Sequence, residues 1–141
     1  MNPDLEKAIQ LLHTGGYTCV LCKDNAVYTS TQRGVKPLMN LLGKNLSGFS
    51  AADKVVGKAT ALLYCLLGIR ALHANVISES ALAVLQSNGI PTGYTELVPY
   101  IVNRAKDGKC PMELATQNIS DPKDAPGAIL TALEKLKKET T

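Results

Sequence analysis

Asp53 stands in the run Ser50-Ala51-Ala52-Asp53-Lys54-Val55-Val56-Gly57-Lys58-Ala59, whose residue types carry chemistry if the run opens a helix. Ser50-x-x-Asp53 then has capping-box spacing, with the carboxylate reaching back to backbone N–H groups. Lys54 and Lys58 form an i,i+4 pair, and Asp53 and Gly57 share another face. A glycine inside a helix costs up to about 1 kcal/mol relative to alanine and permits close approach of a ligand or another backbone. Further on, Ser78-Glu79-Ser80 offers an N-cap serine and an acid that complements the dipole of a second helix. Two helix N-termini at one end of a sheet make a setting for anions such as phosphates. In that geometry Asp53 and Glu79 accept ribose hydroxyls, Ser78 adds a ribose or phosphate contact, and Lys54, Lys58 or Arg33 meets phosphate. Each residue also has a purely structural reading: Asp53 as a cap, Ser78 and Glu79 as helix initiation, Gly57 as close packing, Arg33 as a solvent-facing loop residue.

Other constellations carry less. Cys19-Val20-Leu21-Cys22 has the spacing of a redox or zinc pair, but in a strand the two side chains point to opposite faces. Redox pairs of this spacing sit at a helix N-terminus, and a zinc site needs a second ligand pair. The remaining donors Cys65, Cys110, His13 and His73 are scattered, so both cysteines read as packing residues. His73 reads as a hydrogen-bonded core histidine facing the same way as Ala71 and Asn75. His13, beside a Gly-Gly helix stop, reads as a helix-end residue favoured by the dipole. Gly43-Lys44 lacks the pattern of a phosphate loop, and no Gly-x-Ser-x-Gly elbow occurs.

The elements that must position these residues follow from periodicity and punctuation. Residues 4–13 place Leu5, Ala8, Ile9, Leu11 and Leu12 at near-helical spacing before Gly15-Gly16. Residues 17–23 and 26–30 are β-prone runs around an Asp24-Asn25 turn, a hairpin signal. After the polar connection 31–37 comes a short helical turn over 38–42. Residues 51–67 repeat apolar side chains along one wide helical face, with Gly68 as the stop. Strands are expected over 71–77 and 92–98, and helices over 79–87, 99–106 and 111–117. Residues 121–127 form a loop leading to a C-terminal helix over 128–138.

A hairpin followed by α-β-α-β-α predicts an α/β domain, a three-layer α/β/α sandwich with a mixed sheet and helices on both faces. The 141 residues suit one domain, 1–141, with a real core. At 45% hydrophobic and 19% charged residues a disordered chain is excluded. With one Phe, five Tyr and no Trp the core must be aliphatic. The net charge of +3 is mild, and several lysines sit in Glu134-Lys135-Leu136-Lys137-Lys138-Glu139, which reads as a solvated helix end. Basic residues without interleaved aromatics argue against nucleic acid as a partner. Residues 59–69 are too short an apolar run for a membrane span. Met1-Asn2-Pro3-Asp4 starts no basic and apolar tract, so a cytoplasmic location and reduced thiols are expected.

The runs Gly16-Tyr17-Thr18-Cys19-Val20-Leu21, Tyr28-Thr29-Ser30 through Gly34-Val35-Lys36-Pro37-Leu38, Ala52-Asp53-Lys54-Val55-Val56-Gly57-Lys58-Ala59 and Ile77-Ser78-Glu79-Ser80-Ala81 resemble the family called domain of unknown function 1893. The resemblance covers roughly residues 5 to 118 and implies a cytidine-deaminase-like fold. Zinc deaminases of that superfamily carry His-x-Glu or Cys-x-Glu at one helix start and Pro-Cys-x-x-Cys at the next. Here those places hold Ala52-Asp53-Lys54 and Ser78-Glu79-Ser80-Ala81, so no zinc cofactor and no zinc-dependent deamination are expected. The leading expectation is a diverged deaminase-like domain that binds a nucleotide or related phosphorylated ligand between the two helix starts. The alternatives are a non-zinc enzyme with Asp53 as base or nucleophile, and an assembly module without a ligand. Superfamily analogy implies a homo-oligomer.

Overall fold

Helix α1 (Pro3–Gly15) starts where Asn2 accepts a hydrogen bond from the Leu5 N–H, and stops at Gly16, whose φ of 69° suits the left-handed cap. The computed structural model describes residues 2–102, 106 and 108–139, apart from the side chains of 138 and 139. The hairpin β1 (Cys19–Lys23) and β2 (Ala26–Ser30) turns at Asp24, which takes φ 52°. A short α2 (Lys36–Leu41) follows, starting two residues before the expected turn and ending one residue before its end.

Residues 50–56 depart from the expectation. They form a strand, β3 (Ser50–Val56), antiparallel to β1 with Cys19 opposite Asp53 and Val20 opposite Ala52. Ser50 and Asp53 are therefore not a capping box, and Lys54 and Lys58 do not share a helix face. The helical periodicity belongs to α3 (Lys58–Leu67) alone, with Gly57 as its N-cap in an extended conformation. Strand β3 has β1 and β4 on its edges and packed layers on both faces, so its buried residues lack the alternation that marks a half-exposed strand.

Strand β4 (Ala71–Ser78) lies parallel to β3, and β5 (Thr92–Val98) parallel to β4, giving the order β2-β1-β3-β4-β5. The two crossovers, through α3 and α4 (Glu79–Ser87), step the same way across the sheet. Right-handed connections then put both helices on one face. Leu62, Leu63, Leu72, Ala81 and Leu85 form the core there, and α1 covers the other face with Ala8 and Leu12 on Val20, Cys22 and Ala52. The result is an α/β domain with a mixed sheet between helical layers.

The last elements are α5 (Pro111–Thr116), a 3-10 turn (Pro122–Asp124) and α6 (Ala125–Glu139). The loop expected over 121–127 is thus shorter: Asp121 accepts from the Lys123 N–H and starts the turn, and α6 begins at Ala125 with Pro126 in its first turn, where a missing N–H costs nothing. The helix expected over 99–106 is not formed by its described part. Val102 instead bridges antiparallel to Lys109, while 103–105 lie outside the described residues. Among the described residues no helix is long and apolar enough to cross a membrane.

Cys19 and Cys22 do face opposite layers, one in the α3 core and one in the α1 core. All four cysteines are free, so a thiol reagent should count four thiols in denatured protein, and in native protein should reach Cys65 and Cys110 before the buried pair. A Cys19–Cys22 disulfide in protein kept from air would contradict the strand. His73 is half-buried, not core, on the α1 side as register partner of Ala52. Burial, then His13, lowers its pKa, while His13 Nε2 lies 3.4 Å from Asn75 Oδ1.

Candidate functional site

The carboxyl end of β3 leaves the shelter of β1 at Asp53, since β1 pairs only as far as Cys19 and the next N–H, that of Lys54, bonds the Thr18 carbonyl. At this point the sheet opens into a cleft of about 960 Å³. Its floor is the β3–α3 junction, with Asp53, Val55, Gly57 and Thr60. Arg33, Lys36 and Lys54 line it as well, and Ile101, Val102, Met112, Leu133 and Leu136 supply an apolar wall. A mostly apolar hollow with a few convergent polar groups is the usual make-up of a small-molecule site.

Asp53 is only 9% exposed, yet no cation among the described residues is bonded to it. Its Oδ2 accepts from the Tyr64 hydroxyl at 2.7 Å and its Oδ1 from the Val55 N–H at 3.2 Å. Burial outweighs these bonds and pushes the carboxyl up to about 7. Tyr64 Oη also lies 3.2 Å from Cys19 Sγ, which completes a buried row of Cys19, Tyr64 and Asp53. The row can run either way: Cys19 S–H to Tyr64 and Tyr64 O–H to a carboxylate, or a protonated Asp53 to Tyr64 and Tyr64 to the sulfur. Burial, reinforced by Asp53, raises the Cys19 thiol, so it is a hydrogen-bonding group and not a thiolate nucleophile.

The start of α3 already holds an anion from within the chain. Glu113, on α5 and 7% exposed, accepts from the Lys58 N–H through Oε1 at 2.6 Å. This caps α3 across 55 positions of sequence, because Gly57 has no side chain to do it. The absence of a Cβ at Gly57 also makes room: a methyl there would press on Glu113 Oε1 and lie 3.2 Å from Ile101 Cγ1. The close approach expected at Gly57 is thus to a carboxylate of the same chain.

Of the residues singled out in the sequence, Arg33, Asp53 and Lys54 line the cleft. Lys58 does not; its ammonium donates to the Gln117 carbonyl at 3.0 Å. Ser78 is buried and caps α4 by accepting from the Ala81 N–H, and Glu79 is an exposed first-turn acid beside it. The two helix starts do lie at one end of the sheet, but only that of α3 reaches the cleft. Sequence reasoning passed over Glu113, Lys36 and Tyr64. Glu113 follows Pro111 in an ordinary first-turn position, and Tyr64 lies inside an apolar helix, so neither carries a local signal. Among the described residues no three His, Cys, Asp or Glu side chains come together, so the cleft presents no zinc donor set.

A family model described as Domain of unknown function (DUF1893) matches residues 7–132. A solved structure of a DUF1893 family protein from Thermotoga maritima shares the fold, with a TM-score of 0.85 and 25% identity over 93% of this chain and 91% of that chain. No curated protein matches the chain.

Proposed function

The chain belongs to the DUF1893 family, and we propose that it is a zinc-free, cytidine-deaminase-like domain that binds a nucleotide or related phosphorylated small molecule in the cleft above Asp53. The observation that carries this reading is the convergence of Arg33, Lys36 and Lys54, none of them ion-paired among the described residues, on a hollow with a buried carboxyl in its floor. Phosphate lies at these cations, where charge-assisted hydrogen bonds are strongest. It does not replace Glu113, whose carboxylate already satisfies the start of α3. Asp53 accepts a ribose hydroxyl, and the apolar wall takes the body of the ligand. The antiparallel hairpin beside parallel β3, β4 and β5, with helices leaving the carboxyl ends of β3 and β4, supports the deaminase-like assignment.

A thermal-shift screen of nucleotides and sugar phosphates tests the reading. A ligand at a hundred times its Kd should raise the melting temperature by on the order of 8 °C. Arg33→Ala and Lys54→Ala should each lose much of that rise, while Lys58→Ala, whose contact lies outside the cleft, should keep it. A rise that survives in both cleft variants, or no rise with any compound, would move the protein to the assembly-module reading.

The carboxyl poised at about 7 favours a second reading, in which Asp53 exchanges a proton with the bound ligand as general acid or base. Incubating the compound that gives the largest shift with the protein, and following it by NMR from pH 5 to 9, tests this. Turnover that Asp53→Asn leaves intact would remove Asp53 from the chemistry.

A further inference from the structure

The cleft above Asp53 is far larger than a phosphate group. Its volume of about 960 Å³ lies at the upper end of the range for small-molecule sites, about 300 to 1,000 Å³. Whatever fills the rest must suit the wall. Ile101, Val102, Met112, Leu133 and Leu136 line it, together with Val55, whose N–H bonds Asp53. None of these side chains has a hydrogen-bonding group beyond the weak thioether of Met112. Val55 and Val102 are exposed, and Ile101, Leu133 and Leu136 are half-buried, so the cleft keeps aliphatic surface open to water. It offers no aromatic surface. The one Phe and five Tyr of the chain all lie among the described residues, and none of them lines the cleft.

A nucleobase in the cleft therefore has no ring to stack on. Its polar edge fares no better. Among the described residues, the uncharged polar side chains of the lining, thiols apart, are those of Thr18, Gln32 and Thr60. The Thr18 hydroxyl already donates to the main-chain carbonyls of Ser30 and Gln32, and the Gln32 amide bonds that of Asn40. A base edge laid on the wall would lose water without gaining partners, whereas a run of methylenes gains by leaving water. Arg33, Lys36 and Lys54 line the same cleft and call for an anion. We propose that the cleft takes the phosphate ester of an aliphatic chain, with the chain on the apolar wall and the phosphate at Arg33, Lys36 and Lys54. The inference rests on the phosphate site proposed above and names the body joined to it.

NMR titration with methyl, butyl and hexyl phosphate, ribose 5-phosphate and adenosine monophosphate tests it. Each added methylene should tighten binding about two- to fourfold, according to how fully it is buried. Hexyl phosphate should then bind about thirtyfold or more tighter than methyl phosphate. Adenosine monophosphate should gain nothing over ribose 5-phosphate. Leu133→Ala and Leu136→Ala should each reduce the gain per methylene and leave methyl phosphate where it was. Val102→Ser, at an exposed position, serves the same purpose should the leucine changes unfold the protein. Arg33→Ala with Lys54→Ala should weaken every alkyl phosphate by a common factor and keep the gain per methylene. A flat affinity across the alkyl series, or a gain from adenine, would overturn the aliphatic chain while leaving the phosphate site standing. So would wall variants that dissolve a dimer in sedimentation without touching alkyl phosphate binding, which would assign the wall to a second copy of the chain. Binding of none of the compounds would overturn both.

Discussion

Asp53→Asn is expected to leave stability nearly unchanged at pH 4 and to stabilise the protein at pH 8, with the two stability curves diverging as pH rises. The folded protein holds the Asp53 carboxyl up at about 7 against an ordinary value of 3.8. Between those two values the folded state keeps a proton that the unfolded state has lost, so stability falls as pH rises. The full fall attributable to this one group is on the order of 4 kcal/mol, complete above pH 7. Asparagine is neutral throughout and lacks the slope. Its amide matches the protonated acid, with the oxygen accepting from the Val55 N–H and the NH2 donating to Tyr64 as the protonated carboxyl does. The variant should therefore match the parent to within about 1 kcal/mol in acid and be more stable by about 2 to 4 kcal/mol above neutrality. Urea titrations from pH 4 to 8 measure the divergence. Parallel curves across that range would mean that Asp53 is not held protonated by burial.

The same residue marks where the sequence was readable and where it was not. The hairpin, β4, β5, α4 and the Ser78 cap were legible because each is punctuated locally: Asp24-Asn25 at the turn, Gly16 and Gly68 at helix ends, a serine before Glu79. Strand β3 was not, since Ala51, Ala52, Val55 and Val56 run into Ala59, Leu62 and Leu63 at intervals that fit a helix. Their small side chains also answer a tertiary demand, Ala52 lying under Ala8 and Leu12 of α1. A strand buried on both faces loses its period of two, and periodicity alone then cannot separate it from a buried helix. Asp53 and Lys54 line the cleft beside the junction of β3 and α3, and Arg33 reaches it from the connection before α2. Which way Lys58 points depended on where the helix begins, and its ammonium turns to the Gln117 carbonyl. Glu113 could not be found at all from spacing, since its role as a cap is created by packing α5 against α3.

That packing sets up the second large effect, at Gly57. The glycine is extended, with φ −93° and ψ 179°, a conformation that alanine adopts freely, so a substitution there meets no backbone strain. The cost of Gly57→Ala comes from what its Cβ would touch. It would press on Glu113 Oε1, and Glu113 is a nearly buried carboxylate that accepts from the Lys58 N–H. Displacing it leaves a buried charge and a helix N–H unsatisfied together, a loss of about 2 to 4 kcal/mol. The contact with Ile101 Cγ1 at 3.2 Å adds less, because a side chain at the cleft wall can give by a few tenths of an ångström. A double-mutant cycle separates the two contributions. In a Glu113→Ala background the space above Gly57 is open, and Gly57→Ala should then cost less than about 1 kcal/mol. Denaturant midpoints for the four proteins of the cycle give the coupling directly. An equal cost in both backgrounds would assign the glycine to the Ile101 contact and leave Glu113 free to move when the cleft is filled.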